Sequence, residues 1–91
     1  MYDIPATVTS LPTGAEPPAG AKVLKNDAGF AGYCGAAPPP GHGCHRYIFC
    51  VSALPVENLP IDENTSPAVC NFHMFGAGIL GRAFLTATYG R

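Results

Sequence analysis

His45 and Tyr47 stand two residues apart in the stretch CHRYIFCVSAL. If that stretch is extended, an i, i+2 pair points to one face. Imidazole offers a donor and an acceptor nitrogen and the phenol offers a hydroxyl, so the pair has the chemistry to grip an anion. The segment just upstream, GAAPPPGHG over 35–43, suits that task. Pro38, Pro39 and Pro40 have no N–H and a fixed φ, so they stiffen the loop. Gly35 lets the backbone approach a ligand closely. The amides of Gly35, Ala36 and Ala37, and those from Gly41 onward, can donate, and a concave run of such amides forms an anion-binding nest. His45 and Tyr47, with the backbone of the loop from Gly35, are therefore the candidates for holding an anion. The plain alternative stands beside this one: a proline-rich loop before a strand is often only a loop, and a strand histidine is often a satisfied structural residue.

The remaining chemistry-bearing residues form no second site. Arg46 falls on the opposite strand face, where Asp27 or Glu57 would serve as an ion-pair partner. His42, flanked by glycines, reads as exposed and without a role, and His73 as a core or surface residue of a helix. Cys34, Cys44, Cys50 and Cys70 show no C-x2-C spacing, and no H-x3-H accompanies them. A zinc site built from them is therefore not expected, nor is any cofactor. The opening MYDIPATV has neither the basic nor the apolar region of a leader, so the expected setting is cytoplasmic with reduced thiols. No apolar run reaches the ~20 residues of a membrane-spanning helix. There is no G-x-S-x-G, P-loop or paired-carboxylate pattern, and the expectation is a protein that is not an enzyme.

The elements that must position the pair are those of a small, loop-rich chain. With 91 residues, one domain is expected. Eleven glycines and ten prolines favour β structure and loops over a helical bundle. A net charge of −1 supplies no basic field for nucleic acid. HRYIFCVSAL over 45–54 is the clearest strand. Both its faces are apolar beyond the first turn, which predicts a strand covered on both sides. Ser66 followed by Pro67 is a helix start, with a capping hydroxyl and proline at the first helical position. The helix should run through 68–81 with Val69, Phe72 and Leu80 inward, weakened at Gly76 and Gly78 and ended at Gly81. RAFLTATYG over 82–90 alternates as a final strand. KNDAGF carries a turn signal, and MYDIPATV reads as extended, a short edge strand or a start in mid-strand. The fold class is mainly β with a short C-terminal helix (α+β).

The stretch NDAGFAGYCGAAPPPGHGCHRYIFCVSAL closely resembles the second signature region of the phosphatidylethanolamine-binding protein family, above all its bacterial Raf-kinase-inhibitor-like branch. The matching positions are Asn26, Asp27, Tyr33, Gly35, Pro38, Pro39, Gly43, His45, Arg46 and Tyr47. The beginning, YDIPATVTSLPTG, resembles the stretch just after the family's first signature. GILGRAFLTATYG resembles its closing helix and strand. Ala37 stands where many members carry glycine. The resemblance implies a single partial domain over 1–91, the C-terminal half of a β-sandwich that lacks its N-terminal strands. It also implies a non-enzymatic module, with His45, Tyr47 and the loop at Gly35 and Pro38 forming one share of a pocket for phosphate-like anions or phospholipid headgroups. The opposite wall would come from an acidic, proline-containing segment and a His-Trp strand that this sequence does not contain.

Two further readings belong to other classes. One is an inhibitor of a protein kinase or protease that presents the rigid 35–43 loop as bait. The other is a small Cys/His metal or redox protein. A sheet short of strands also predicts self-association through exposed edges.

Overall fold

A computed structural model describes residues 1–91. Its one regular sheet is an antiparallel pair, β1 (Cys44–Ala53) and β2 (Gly81–Gly90), in unbroken register from Cys44 opposite Gly90 to Ala53 opposite Gly81. Between them runs α1 (Pro67–Ala77). The two strands begin and end within one residue of the spans that alternation predicts. β-branched and aromatic residues fit the pleat, and the glycines at either end of β2 leave no side chain to carry the ladder further.

The Ser66–Pro67 start holds as expected. The Ser66 hydroxyl accepts a hydrogen bond from the Val69 N–H at 3.2 Å, and proline occupies the first turn. The end differs from expectation. The helix stops at Ala77 with Gly78, not Gly81, as its cap, where the Gly78 N–H bonds the Phe75 carbonyl. The inward face differs as well: Val69, Phe72 and Leu80 are exposed, and Cys70 is the buried residue, with Met74 and Ala77 half-buried beside it. The reason is what α1 packs against. Its neighbours in the core are not the sheet but Tyr2, near the start of the chain, and Leu59, in the connection after β1.

That core is small, with Tyr2, Leu59 and Cys70 buried and Leu24, Leu54, Ile61, Met74 and Ala77 packed around them. Asp3 ties its parts together. Its carboxylate accepts the Leu59 N–H at 2.8 Å and pairs with the Lys22 ammonium at 3.2 Å. Its side chain is 3% exposed, and its backbone sits at φ 54°, a conformation L residues seldom adopt. The N-terminal stretch expected to be a strand makes only one bridge, Tyr2 opposite Lys22. KNDAGF turns as expected: the Asn26 side chain accepts the Ala28 N–H, and Lys25 bridges Ala31.

The sheet itself is bare. One face carries His45, Tyr47, Phe49 and Val51 opposite Tyr89, Ala87, Leu85 and Ala83; the other carries Ile48 and Cys50 opposite Thr86 and Phe84. Val51, Leu85, Ile48 and Phe84 are each about 60% exposed or more, at 63, 67, 59 and 64%. The expectation of a strand covered on both sides is not met within these 91 residues. Arg46 also departs from expectation: it lies opposite Thr88 and joins no ion pair, the single salt bridge being Lys22–Asp3.

Two outcomes follow for the chain in solution. Bare apolar faces and open edges drive self-association, so sedimentation should show concentration-dependent species, and a compact monomer at all concentrations contradicts this. Burial pushes the Cys70 thiol up, and nearby Asp3 adds to this against the opposing N-terminal ammonium. Cys34, Cys44 and Cys50 are exposed. Timed alkylation at neutral pH should label Cys70 last, about tenfold or more behind the others. Equal rates would mean that the core opens freely.

Candidate functional site

The β1–β2 register sets the positions of the proposed ligand residues. His45 and Tyr47 share a face, opposite Tyr89 and Ala87, and both are half-buried. Neither side chain makes a hydrogen bond within the chain, so imidazole and phenol keep their donors and acceptors for something else. The loop reaches them in two steps. Gly41 and Gly43 take φ of 85° and 76°, left-handed values that let the chain turn twice within three residues before entering β1. Pro38 is fully buried, while Gly35, Ala36 and Ala37 are exposed with amides that bond nothing in the chain.

Arg91 fixes this loop, a role with no clear mark in the sequence. Its guanidinium Nε donates to the Pro38 carbonyl at 2.8 Å, and its own carbonyl accepts the Gly41 N–H at 3.1 Å. The two bonds straddle the proline run and hold it against the end of β2. Contact there is close: a Cβ on Gly90 would lie 2.6 Å from the Gly43 carbonyl oxygen, so only glycine fits. Fifty-three residues separate Arg91 from Pro38, and only the strand pairing reveals the link. His42, read as exposed and without a role, is exposed, yet its ring lies 5.5 Å from that of His45. Tyr33 adds a second anchor for the loop on the same face, its ring 6.1 Å from Phe49.

The arrangement is a wall, not an enclosure. His45, Tyr47 and the 35–37 amides line no closed cavity. A concavity of about 300 Å³ lies elsewhere, between Val56, Asn58 and Pro60 of the connection and Phe72, His73 and Ala77 of α1. His73 stands half-buried in it, edge-on to Phe72. No group of three or more metal-ligating side chains comes together, and no helix is long and apolar enough to cross a membrane.

A capped helix between two long antiparallel strands, with a proline–glycine loop pinned beside a histidine and a tyrosine, makes a mainly β fold with one short helix. The family model for phosphatidylethanolamine-binding protein matches residues 1–90, and the chain belongs to this family. It is similar to the UPF0098 protein YbcL of Escherichia coli, 42% identical over 98% of this chain and 51% of that protein. A UPF0098 protein of Aquifex aeolicus is 40% identical over the whole of this chain and 54% of its own length. The crystal structure of E. coli YbcL, described as a new member of the mammalian PEBP family, superposes with a TM-score of 0.88 at 39% identity, over 98% of this chain and 57% of that one. The chain thus spans about half the length of the relatives it matches.

The Arg91 latch is testable by amide exchange. Arg91→Ala removes the bond to the Pro38 carbonyl, worth about 1 kcal/mol, and should speed exchange at Gly41 roughly fivefold while leaving the middle of β1 unchanged. Unchanged exchange at Gly41 would show that the prolines alone hold the loop.

Proposed function

We propose that this chain forms one wall of a site for a phosphate-like anion, such as a free phosphate monoester or a phospholipid headgroup, and that it acts by binding rather than catalysis. The observation that carries this reading is the shared face of His45 and Tyr47, both without an internal hydrogen bond, next to a pinned loop with unbonded amides at 35–37. His45 would donate from its ring and Tyr47 from its hydroxyl, while the amides at Gly35 and beyond would complete the contact. Pro38 acts through stiffness: its buried ring and bonded carbonyl keep the loop from collapsing onto the histidine. Family membership supports the reading, because it places the chain among proteins whose family name refers to a phospholipid.

One wall binds weakly. An anion stripped of water on one side only is poorly compensated by a few donors. Titration of the chain with inorganic phosphate and with phosphoethanolamine, followed by amide and imidazole shifts, should give affinity weaker than about 1 mM, or some −4 kcal/mol. Shifts should fall at 35–37, His45 and Tyr47, and His45→Ala and Tyr47→Phe should each reduce them. Shifts centred on Phe72 and His73 would refute the site. Inhibition of a protein kinase or protease through the 35–43 loop remains the second reading, favoured by that loop's two-point fixation beside exposed Pro39, Pro40 and His42. It predicts inhibition that His42→Ala weakens and Tyr47→Phe leaves unchanged.

A further inference from the structure

Two imidazoles stand together at the entry to β1. The ring centres of His42 and His45 are 5.5 Å apart, with 32° between their planes. Neither ring makes a hydrogen bond or an ion pair within the chain. Their nitrogens are free to act as ligands.

The spacing alone does not predict this pairing. In an unbroken strand, residues three apart point to opposite faces. Gly43 lies between the two histidines with φ 76°, a left-handed value that no strand residue takes, and β1 begins only at Cys44. The turn at Gly43 brings His42 beside His45. Its position is held by the chain around it. The His42 N–H bonds the Pro39 carbonyl at 3.3 Å, and the Gly41 N–H bonds the Arg91 carbonyl at 3.1 Å. His45 is fixed by the ladder, opposite Tyr89. The neighbours of His45 in β1, Cys44 and Arg46, belong to the other face of the strand.

The distance suits one ion between the two rings. A zinc ion lies about 2.0–2.1 Å from an imidazole nitrogen, and so about 3.2 Å from the centre of the ring. Two imidazoles on a tetrahedral ion then stand about 5.2 Å apart, and on adjacent positions of a square or octahedral ion about 4.5 Å. The observed 5.5 Å is within a few tenths of an ångström of the tetrahedral value. A small side-chain rotation covers the difference. Imidazole suits zinc, copper and nickel, whereas Mg²⁺ and Ca²⁺ take oxygen ligands.

We propose that His42 and His45 form a two-imidazole seat for a divalent transition-metal ion, with Zn²⁺ the best match to the spacing. Two protein ligands leave the other tetrahedral positions open to water or to another oxygen donor, such as a phosphate oxygen. The seat shares His45 with the proposed anion wall but does not depend on it.

The test is a titration of the chain with zinc chloride in phosphate-free buffer, followed by amide and imidazole shifts. The exposed thiols are removed first, by Cys34→Ser, Cys44→Ser and Cys50→Ser, because thiolates also take zinc. One ion per chain should bind, saturating below about 1 mM, with the His42 and His45 rings shifting together. Mg²⁺ should not produce these shifts. His42→Ala and His45→Ala should each weaken zinc binding about tenfold or more, because either leaves a single imidazole. His73→Ala should leave it unchanged. An unaltered amide spectrum away from residues 41–47 shows that each variant is folded. Four results would overturn the proposal: rings of His42, His45 and His73 that shift independently, a loss in only one of the two variants, half an ion per chain bridging two copies, or no binding once the cysteines are gone. With phosphate absent, none of these results bears on the anion site.

Discussion

The ten-residue ladder between β1 and β2 is the constraint on which the rest of the molecule depends. Its register, running from Cys44–Gly90 to Ala53–Gly81, decides which side chains share a face and brings the end of the chain back to the proline loop. A slip of one residue would turn His45 and Tyr47 to the opposite face. It would also carry Arg91 away from Pro38 and Gly41. The close fit of Gly90 against the Gly43 carbonyl marks the end where the register is most tightly fixed, and that end adjoins the proposed ligand residues. The loop is thus stiff for two separate reasons: prolines restrict its dihedrals from within, and a guanidinium and a carbonyl hold it from across the sheet.

The second organising feature lies away from the sheet. Asp3, Lys22, Leu59 and Cys70 bring together four stretches of chain that have no regular ladder between them. A carboxylate that is nearly fully buried in a strained backbone conformation persists only where its surroundings hold it there. Here its two partners do so, one a backbone N–H and the other an ammonium at the surface. The result is a chain with two differently built ends. One is a small core closed around α1, and the other is a long hairpin whose side chains have few neighbours. The α1 groove at Phe72 and His73 belongs to the first end, and the proposed anion wall to the second.

The sequence was most legible where local chemistry decides the outcome. Alternation in HRYIFCVSAL and RAFLTATYG located both strands, because a period of two needs only a few residues to declare itself. The Ser66–Pro67 pair located the helix start because capping is a contact three residues long. The inward face of the helix could not be read. Val69 and Phe72 are the more apolar choice, yet the tertiary partners Tyr2 and Leu59 select Cys70 and Met74, and Tyr2 lies 68 residues from Cys70 in the chain. Arg46 misled for the same reason. A strand arginine usually seeks an acid, but no acid is brought to its face, and the one ion pair formed lies near the N-terminus. Of the proposed ligand residues, the shared face of His45 and Tyr47 was visible as a spacing. The latch from Arg91 was not, since nothing near Pro38 in sequence announces it.

The bareness of the hairpin and the openness of the proposed site have one physical origin. A strand whose two faces are both apolar is written for the middle of a sheet, and in these 91 residues it has a neighbour on one side only. The same missing neighbours would supply the low-dielectric surroundings in which a few donors hold an anion strongly. Covering the faces around His45 and Tyr47 would remove water from those groups and strengthen each contact they make, with no new donor on this chain. At the proposed site, affinity for an anion and the covering of the sheet would therefore be coupled quantities. By linkage, an anion that binds the completed form more tightly than the open one must favour completion by the same factor.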